Sequence, residues 1–382
     1  MTSYDTAVIG GGVIGSSIAY HLAKCGQKVI LLEKGRLAEG ASSAAAGMLG
    51  AQAEEPQSEA FFNLACKSRE MFRAIAGELK ECSGIDIGLV SKGTLKVAMT
   101  EEQAVHHKRL ASIHRQHGEQ AEWLDVAAAR AMEPNLSARI CGGLYIEKDG
   151  HVQAPELSLA FAKAAAVLGT VVREHTAATH ILRENGVVAG VETEEGLIRC
   201  DHAVVATGAS GSEVAALTGI HVPVYPVKGE CFSVTTNAPL LTRTVFADGC
   251  YLVPKAAGRI VVGATTIEGS FDRSVSLAGI AGLLAQAQSL VPAIADAQWE
   301  KAWAGLRPQT RDGLPYIGEV PDCKKLYVAA GHYRNGVLLS PITGEAIAAL
   351  ILGRTPRVSI EAFRLDRETC SRANADKEGD VM

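Results

Sequence analysis

The chain has 382 residues, of which 47% are apolar and 21% charged, the balance of a globular protein with room for about two domains. Its 37 basic and 42 acidic residues leave a net charge of −5, and without a basic run the sequence excludes broad nucleic-acid or anionic-membrane binding. Glycine is in excess at 39 residues, but it follows no three-residue period and only 13 prolines accompany it, so neither a collagen nor a low-complexity chain is implied.

No apolar stretch approaches the ~18 residues of a membrane span. Met1–Asp5 lacks a basic leader, and the nine cysteines, never closer than sixteen residues, form no CxxC pair. Both features lead to the expectation of a cytoplasmic protein with reduced thiols and no metal centre.

Thr6-Ala7-Val8-Ile9 reads as a buried parallel strand. Gly10-Gly11-Gly12-Val13-Ile14-Gly15 follows, then a helical pattern through Ile18, Leu22 and Ala23, and a second strand, Val29 to Leu32, ending on Glu33. This is a dinucleotide-binding fingerprint in its full strand–turn–helix–strand setting. Gly10 makes the tight turn, Gly12 admits the pyrophosphate, and Gly15 permits close helix–strand packing. Glu33 accepts ribose hydroxyls and disfavours a 2′-phosphate, though the unit alone does not separate NAD from FAD. Residues 40–48 (Gly-Ala-Ser-Ser-Ala-Ala-Ala-Gly-Met) read in two ways. Ala41, Ser42 and Ser43 lie along an extended cofactor, or they open a serine-capped, Ala-rich helix.

Further elements follow in order: a helix over 58–82, a strand over 93–98, and a polar helix over 101–117 whose four histidines (106, 107, 114, 117) read as a solvated face. A helix over 156–168, a strand over 170–174 and a hairpin about Glu195-Gly196 come next. The strand Asp201–Ala206 stops on Thr207-Gly208, which returns the chain to the carboxyl edge of the nucleotide sheet. Residues 223–266 are β-rich and suit a mostly antiparallel second sheet. A helix over 277–291, a strand over 326–331 and a short helix over 344–352 complete the pattern, and the tail beyond Arg367 is polar. The expected architecture is α/β, a Rossmann-like cofactor-binding domain (1–85, 146–222 and 301–366) interleaved with an antiparallel substrate domain (86–145 and 223–300), then a tail (367–382).

Five segments, Ser43–Leu49, Pro226–Cys231, Cys250–Pro254, Trp303–Pro308 and Gly331–Gly336, resemble the FAD-dependent D-amino-acid oxidase and sarcosine oxidase family, in particular its glycine oxidases of the thiamine-biosynthesis type. They span nearly the whole chain in the expected order. The resemblance implies noncovalent FAD, since Arg307–Thr310 lacks the flavin-linking cysteine of sarcosine oxidases. It puts the adenosine by Glu33 and Lys34, the pyrophosphate by Val13, Ile14 and Ser42, and the flavin by Ala46, Gly47 and Met48. The loop His332, Tyr333, Arg334, Asn335, Gly336, Val337 and Leu338 would lie against the flavin, with the following helix aimed at its pyrimidine. Arg307 and Tyr251 would hold the substrate carboxylate, with Met48 beside them and Arg334 as an outer arginine. Gly249 and Thr266 stand near the substrate in this reading and enlarge the pocket.

The implied reaction is oxidation of glycine or a related small amine (sarcosine, small D-amino acids). A hydride passes from the α-carbon to the flavin, the imine is hydrolysed, and dioxygen returns the flavin to its oxidised state with release of peroxide. The imine from glycine would feed thiazole synthesis. A dehydrogenase with a non-oxygen acceptor and an N-methyl amino-acid oxidase are the alternatives. Family membership also implies a homo-oligomer, a tetramer.

Overall fold

The computed structural model describes residues 3–53, 58–220 and 222–367. Two large sheets organise the chain. The first has eight strands. Its parallel core runs Leu326–Ala330, Gly196–Val205, Ser3–Ile9, Val29–Leu32, Val171–Arg173, with Tyr316–Glu319 antiparallel at one edge. Its strands are apolar on both faces because both are covered. Val8, Leu31 and Val204 pack into one cluster with the helices Val13–Lys24, Glu59–Ser83, Ala154–Val167 and Gly336–Ile351. The alternate residues Ala7, Ile9, Ile30, Leu32 and Val205 pack with Val214 and Leu217 of the helix Gly211–Thr218 on the other side.

The second sheet has nine strands and is antiparallel except where Thr244–Ala247 lies parallel to Thr94–Ala98. Its backbone is the long pair Val224–Thr235 and Gln298–Thr310. The helix Leu277–Leu290 closes one face through Leu283, Ala287 and Leu290 against Phe232, Leu252 and Val262. The opposite face carries Gly229, Cys231 and Tyr251 toward the first sheet. The Val187–Thr193 and Gly196–Val205 hairpin, the strand Thr94–Ala98 and the helix over 277–290 agree with the sequence reading.

Two elements correct it. The helix expected over 344–352 runs from Gly336 to Ile351, eight residues earlier. Pro341 and Gly344 argue for a later start, yet the carbonyl that Pro341 leaves without its helical donor, Val337 O, accepts from Ser340 Oγ at 2.9 Å, and Ser68 Oγ donates to Leu338 O at 2.6 Å. The proline is therefore tolerated. The second correction concerns Glu101–Gln116. His107 and His114 are buried rather than solvated. Seven residues apart, they join Ala104, Leu110 and Ala111 on the inner face, where His114 stacks on Phe62 and its Nε2 lies 3.0 Å from Gln52 O. The polar tail falls outside the described residues.

Burial holds several histidines neutral. It lowers His21, His107 and His114 to about 4, and His151 and His332 to about 3. Because the unfolded chain protonates these rings near pH 6.5, it binds more protons than the fold between pH 6.5 and 4, and stability falls as pH drops through that window. The expected loss is on the order of 5 kcal/mol, read from urea midpoints across the range. A flat profile from pH 6.5 to 4.5 contradicts the neutral burial of these rings.

Candidate cofactor and substrate site

The carboxyl ends of the central parallel strands converge on one cleft of about 790 Å³, large for a small-molecule site and suited to an extended ligand. Gly10 N donates to Leu32 O, and Ala206 N donates to Ile9 O, so the strand ends at residues 10, 33 and 206 are drawn together. Gly10 has φ +111°, and a Cβ there would lie 2.3 Å from Ala206 O. Gly15 sits where a Cβ would lie 1.9 Å from Gly10 O, so only a glycine lets the helix Val13–Lys24 approach its strand. Gly12 caps that helix without a side-chain hydrogen bond of its own, and the first turn, Gly12 to Ile14, brings the positive dipole end to the cleft.

Of the residues picked out by sequence, Gly10, Gly12, Val13, Ile14, Glu33, Lys34, Ala41, Ser42, Ala46, Gly47 and Met48 line this cleft. So do Thr207, Gly208, Tyr251, Arg307, His332, Tyr333, Arg334, Gly336 and Val337. Four do not. Gly15 serves the packing just described, and Ser43 turns outward to donate to Gly40 O. Asn335 caps the helix that starts at Gly336, and Leu338 is buried beneath it. Of residues 40–48, Ala41–Ala44 form a short helix capped by Gly40 rather than by a serine, which corrects the serine-capped reading, and the chain then extends to Met48.

Glu33 accepts from Gly11 N at 2.7 Å and from Gly35 N at 2.8 Å, which fixes its carboxylate at the rim. Ser42 Oγ accepts from Val13 N at 2.9 Å. Lys34 is ion-paired with Glu213, itself a cleft residue. At the far end, Arg307 stands over Gly229, where a Cβ would lie 2.1 Å from the guanidinium. A glycine at 229 is what gives the planar fork its place. Arg307 Nη1 donates to Thr265 O at 3.1 Å. Tyr251 is buried with its hydroxyl 3.4 Å from Cys231 Sγ, and burial holds that hydroxyl well above its ordinary pKa. It therefore remains an O–H donor through the alkaline range. His332, also neutral, has Nε2 3.1 Å from Thr343 Oγ1.

Gly249 and Thr266 do not line the cleft. Gly249 occupies a turn with φ +80° whose missing Cβ faces Gln286, and Thr266 is exposed. Gly229 and Cys231, which the sequence reading placed in a family segment without a site role, line the cleft, and so do three residues it passed over, Glu213, Phe271 and Arg273. The last two ride on the segment 265–276, which Lys228 Nζ fastens by donating to Asp272 at 2.7 Å and Glu230 by accepting from Ser276 N at 2.8 Å. Phe271 is a large aromatic left 62% exposed at the cleft, the one cue in this segment that points to a ligand.

These features fit an extended dinucleotide. Thr207 Oγ1 is buried in the cleft wall without a hydrogen-bond partner and awaits a polar ligand. The glycine turn and two helix N-termini, at residues 12–14 and 336–337, face the same space.

Comparison with known proteins agrees. The model of the FAD dependent oxidoreductase family matches residues 5–350. The chain is 47% identical over 366 residues to the glycine oxidase of Geobacillus kaustophilus, covering 95% of this chain and 97% of that one. The crystal structure of a glycine oxidase from the same species superposes with a TM-score of 0.93 at 46% identity, covering 96% of this chain and all of that one. The bifunctional protein ThiO/ThiG of Trichormus variabilis is 34% identical over 95% of this chain, which matches 55% of its length. The chain thus belongs to the FAD-dependent oxidoreductase family, alongside the glycine oxidases.

Proposed function

We propose that the protein oxidises glycine and similarly small primary or secondary amino acids, with dioxygen as electron acceptor, giving the imine and hydrogen peroxide. The observation that carries this reading is the Arg307 fork over Gly229, on the same cleft as Tyr251 and the glycine-turn helix. A guanidinium with two parallel donors and a neutral tyrosyl O–H match the two oxygens of a carboxylate. FAD, held noncovalently, supplies the group that takes two electrons from the substrate α-carbon. The chain orients the substrate through Arg307 and Tyr251. The N-terminus of Gly336–Ile351 favours negative charge in the cleft where the family resemblance puts the flavin pyrimidine. Arg334 and Met48 complete the walls.

Electron loss from the α-carbon requires a neutral amine. Tyr251 keeps its proton through the alkaline range, so a rise of turnover with pH reports the substrate amine. Peroxide formation with glycine in air, increasing from pH 7 to 9, is the expected result. Flavin reduction without peroxide would favour a non-oxygen acceptor, and a flat pH profile contradicts the neutral-amine requirement. The covered length shared with the ThiO/ThiG relative supports a role in supplying imine to thiazole formation. Among the described residues no helix is long and apolar enough to cross a membrane. From the family resemblance and the absence of CxxC pairs in the sequence we infer a cytoplasmic homo-oligomer, a tetramer.

A further inference from the structure

The flavin-side run of the cleft, residues 44–48, is gripped by two side chains of the substrate sheet. Trp303 Nε1 donates to Ala44 O at 3.0 Å. Lys255 Nζ donates to Ala46 O and to Val152 O, each at 2.7 Å. Val152 N in turn donates to Gly47 O at 2.8 Å, and Met48 pairs with His151 across a short ladder. The run is thus tied at four of its five residues.

The spacing of the two grips is what gives them meaning. Trp303, Gly305 and Arg307 alternate along the strand Gln298–Thr310 and share a face. Gly305 has no side chain where a Cβ would meet Ala44 at 2.5 Å, so the strand lies directly on the run. Tyr251 lies in the strand Cys250–Pro254, and Lys255 follows four residues later in the same alternation. Each of the two proposed carboxylate ligands is therefore four residues, about 13 Å of strand, from a donor that holds the flavin-side run.

We propose that Lys255 and Trp303 are positioning residues that fix the distance between the substrate's carboxylate ligands and the flavin. The inference rests on the functional reading above and extends it to how the α-carbon is presented. A buried amine on this segment would be costly without its two carbonyl acceptors. Burial lowers Lys255 to about 7, with Glu156 opposing, and both protonation states retain the two N–H donors that Ala46 and Val152 accept. The grip therefore persists under alkaline conditions.

The test uses FAD-loaded wild type, Lys255→Met, Lys255→Arg and Trp303→Phe, mixed anaerobically with glycine. Both the limiting rate of flavin reduction and the half-saturating glycine concentration are read. The same apoproteins are titrated with FAD. In Lys255→Met and Trp303→Phe the limiting rate is expected to fall about 10-fold or more, with half-saturation within about 3-fold, because Arg307 and Tyr251 are untouched. Lys255→Arg, which still offers two donors, should recover most of the rate. Trp303→Phe keeps an aromatic ring at this place and removes the N–H donor, so it reports the grip on Ala44 even if Lys255→Met folds poorly. A smaller loss of rate in both variants overturns the proposal, and so does a half-saturation that rises in step with the lost rate. If glycine fails to reduce the wild type, the functional reading falls by itself. The grips are then judged by FAD: an affinity weakened about 5-fold or more in Lys255→Met upholds them, and any smaller change refutes them.

Discussion

Arg307→Ala is expected to raise the glycine KM by about 100-fold or more while the protein remains yellow. Truncating one partner of a buried, charge-assisted pair costs about 2–5 kcal/mol, and each 1.4 kcal/mol is about ten-fold in affinity. The cofactor is spared because Arg307 lies at the Gly229 end of the cleft, away from the Gly10–Ile14 turn. A second consequence is local: Thr265 O loses its donor, so the segment bearing Phe271 and Arg273 loosens at its start. Arg307→Lys keeps the charge but gives up the fork, and an intermediate rise of about 10-fold is expected. Steady-state kinetics with glycine, together with the flavin spectrum, check both variants. A KM within three-fold of wild type in Arg307→Ala would show that another group holds the carboxylate.

The second large effect is expected at Gly15. An alanine there would bring its Cβ to within 1.9 Å of Gly10 O, a backbone atom that no rotamer can move aside. Either the helix Val13–Lys24 retreats from the sheet or the turn at Gly10 deforms, and both alter the helix N-terminus proposed to receive the cofactor phosphates. FAD affinity should fall by about 100-fold or more, and overpacking should reduce apoprotein stability by about 1–3 kcal/mol. Gly77→Ala is the matched control. Gly77 is exposed in the helix Glu59–Ser83 with nothing within 4 Å of a new Cβ, so a gain of about 1 kcal/mol and unchanged FAD affinity are expected. Normal FAD binding by Gly15→Ala would mean that the close helix–strand contact does not shape the cradle.

The parts legible in the sequence were those encoded by local spacing. Residues 6–33 display strand, glycine turn, helix and terminal acid within one short unit, and the structure builds them in that order. Arg307 and Tyr251 are legible only through resemblance, because nothing around either residue reveals that the register Val227↔Arg307 swings the guanidinium over Gly229. Cys231, Phe271 and Arg273 reach the cleft by cross-strand pairing and by a segment pinned through Asp272, which are relations between distant residues. The early start of Gly336–Ile351 was masked by Pro341, whose cost is offset by Ser340. The buried pair His107 and His114 was masked by the polarity of the rest of its helix, although the seven-residue spacing with Leu110 and Ala111 between them was a visible clue.

Those cross-strand relations also bring the proposed site together: the two proposed carboxylate ligands on one sheet, the glycine-turn cleft on the other, and two donors, Lys255 and Trp303, that reach residues 44–46 between them. The most direct measurement is the visible flavin absorbance of the FAD-loaded protein on anaerobic addition of glycine. The account predicts that the visible flavin band is lost on addition of glycine, and returns on admission of air with release of peroxide. A band that persists at saturating glycine would contradict the account at its centre.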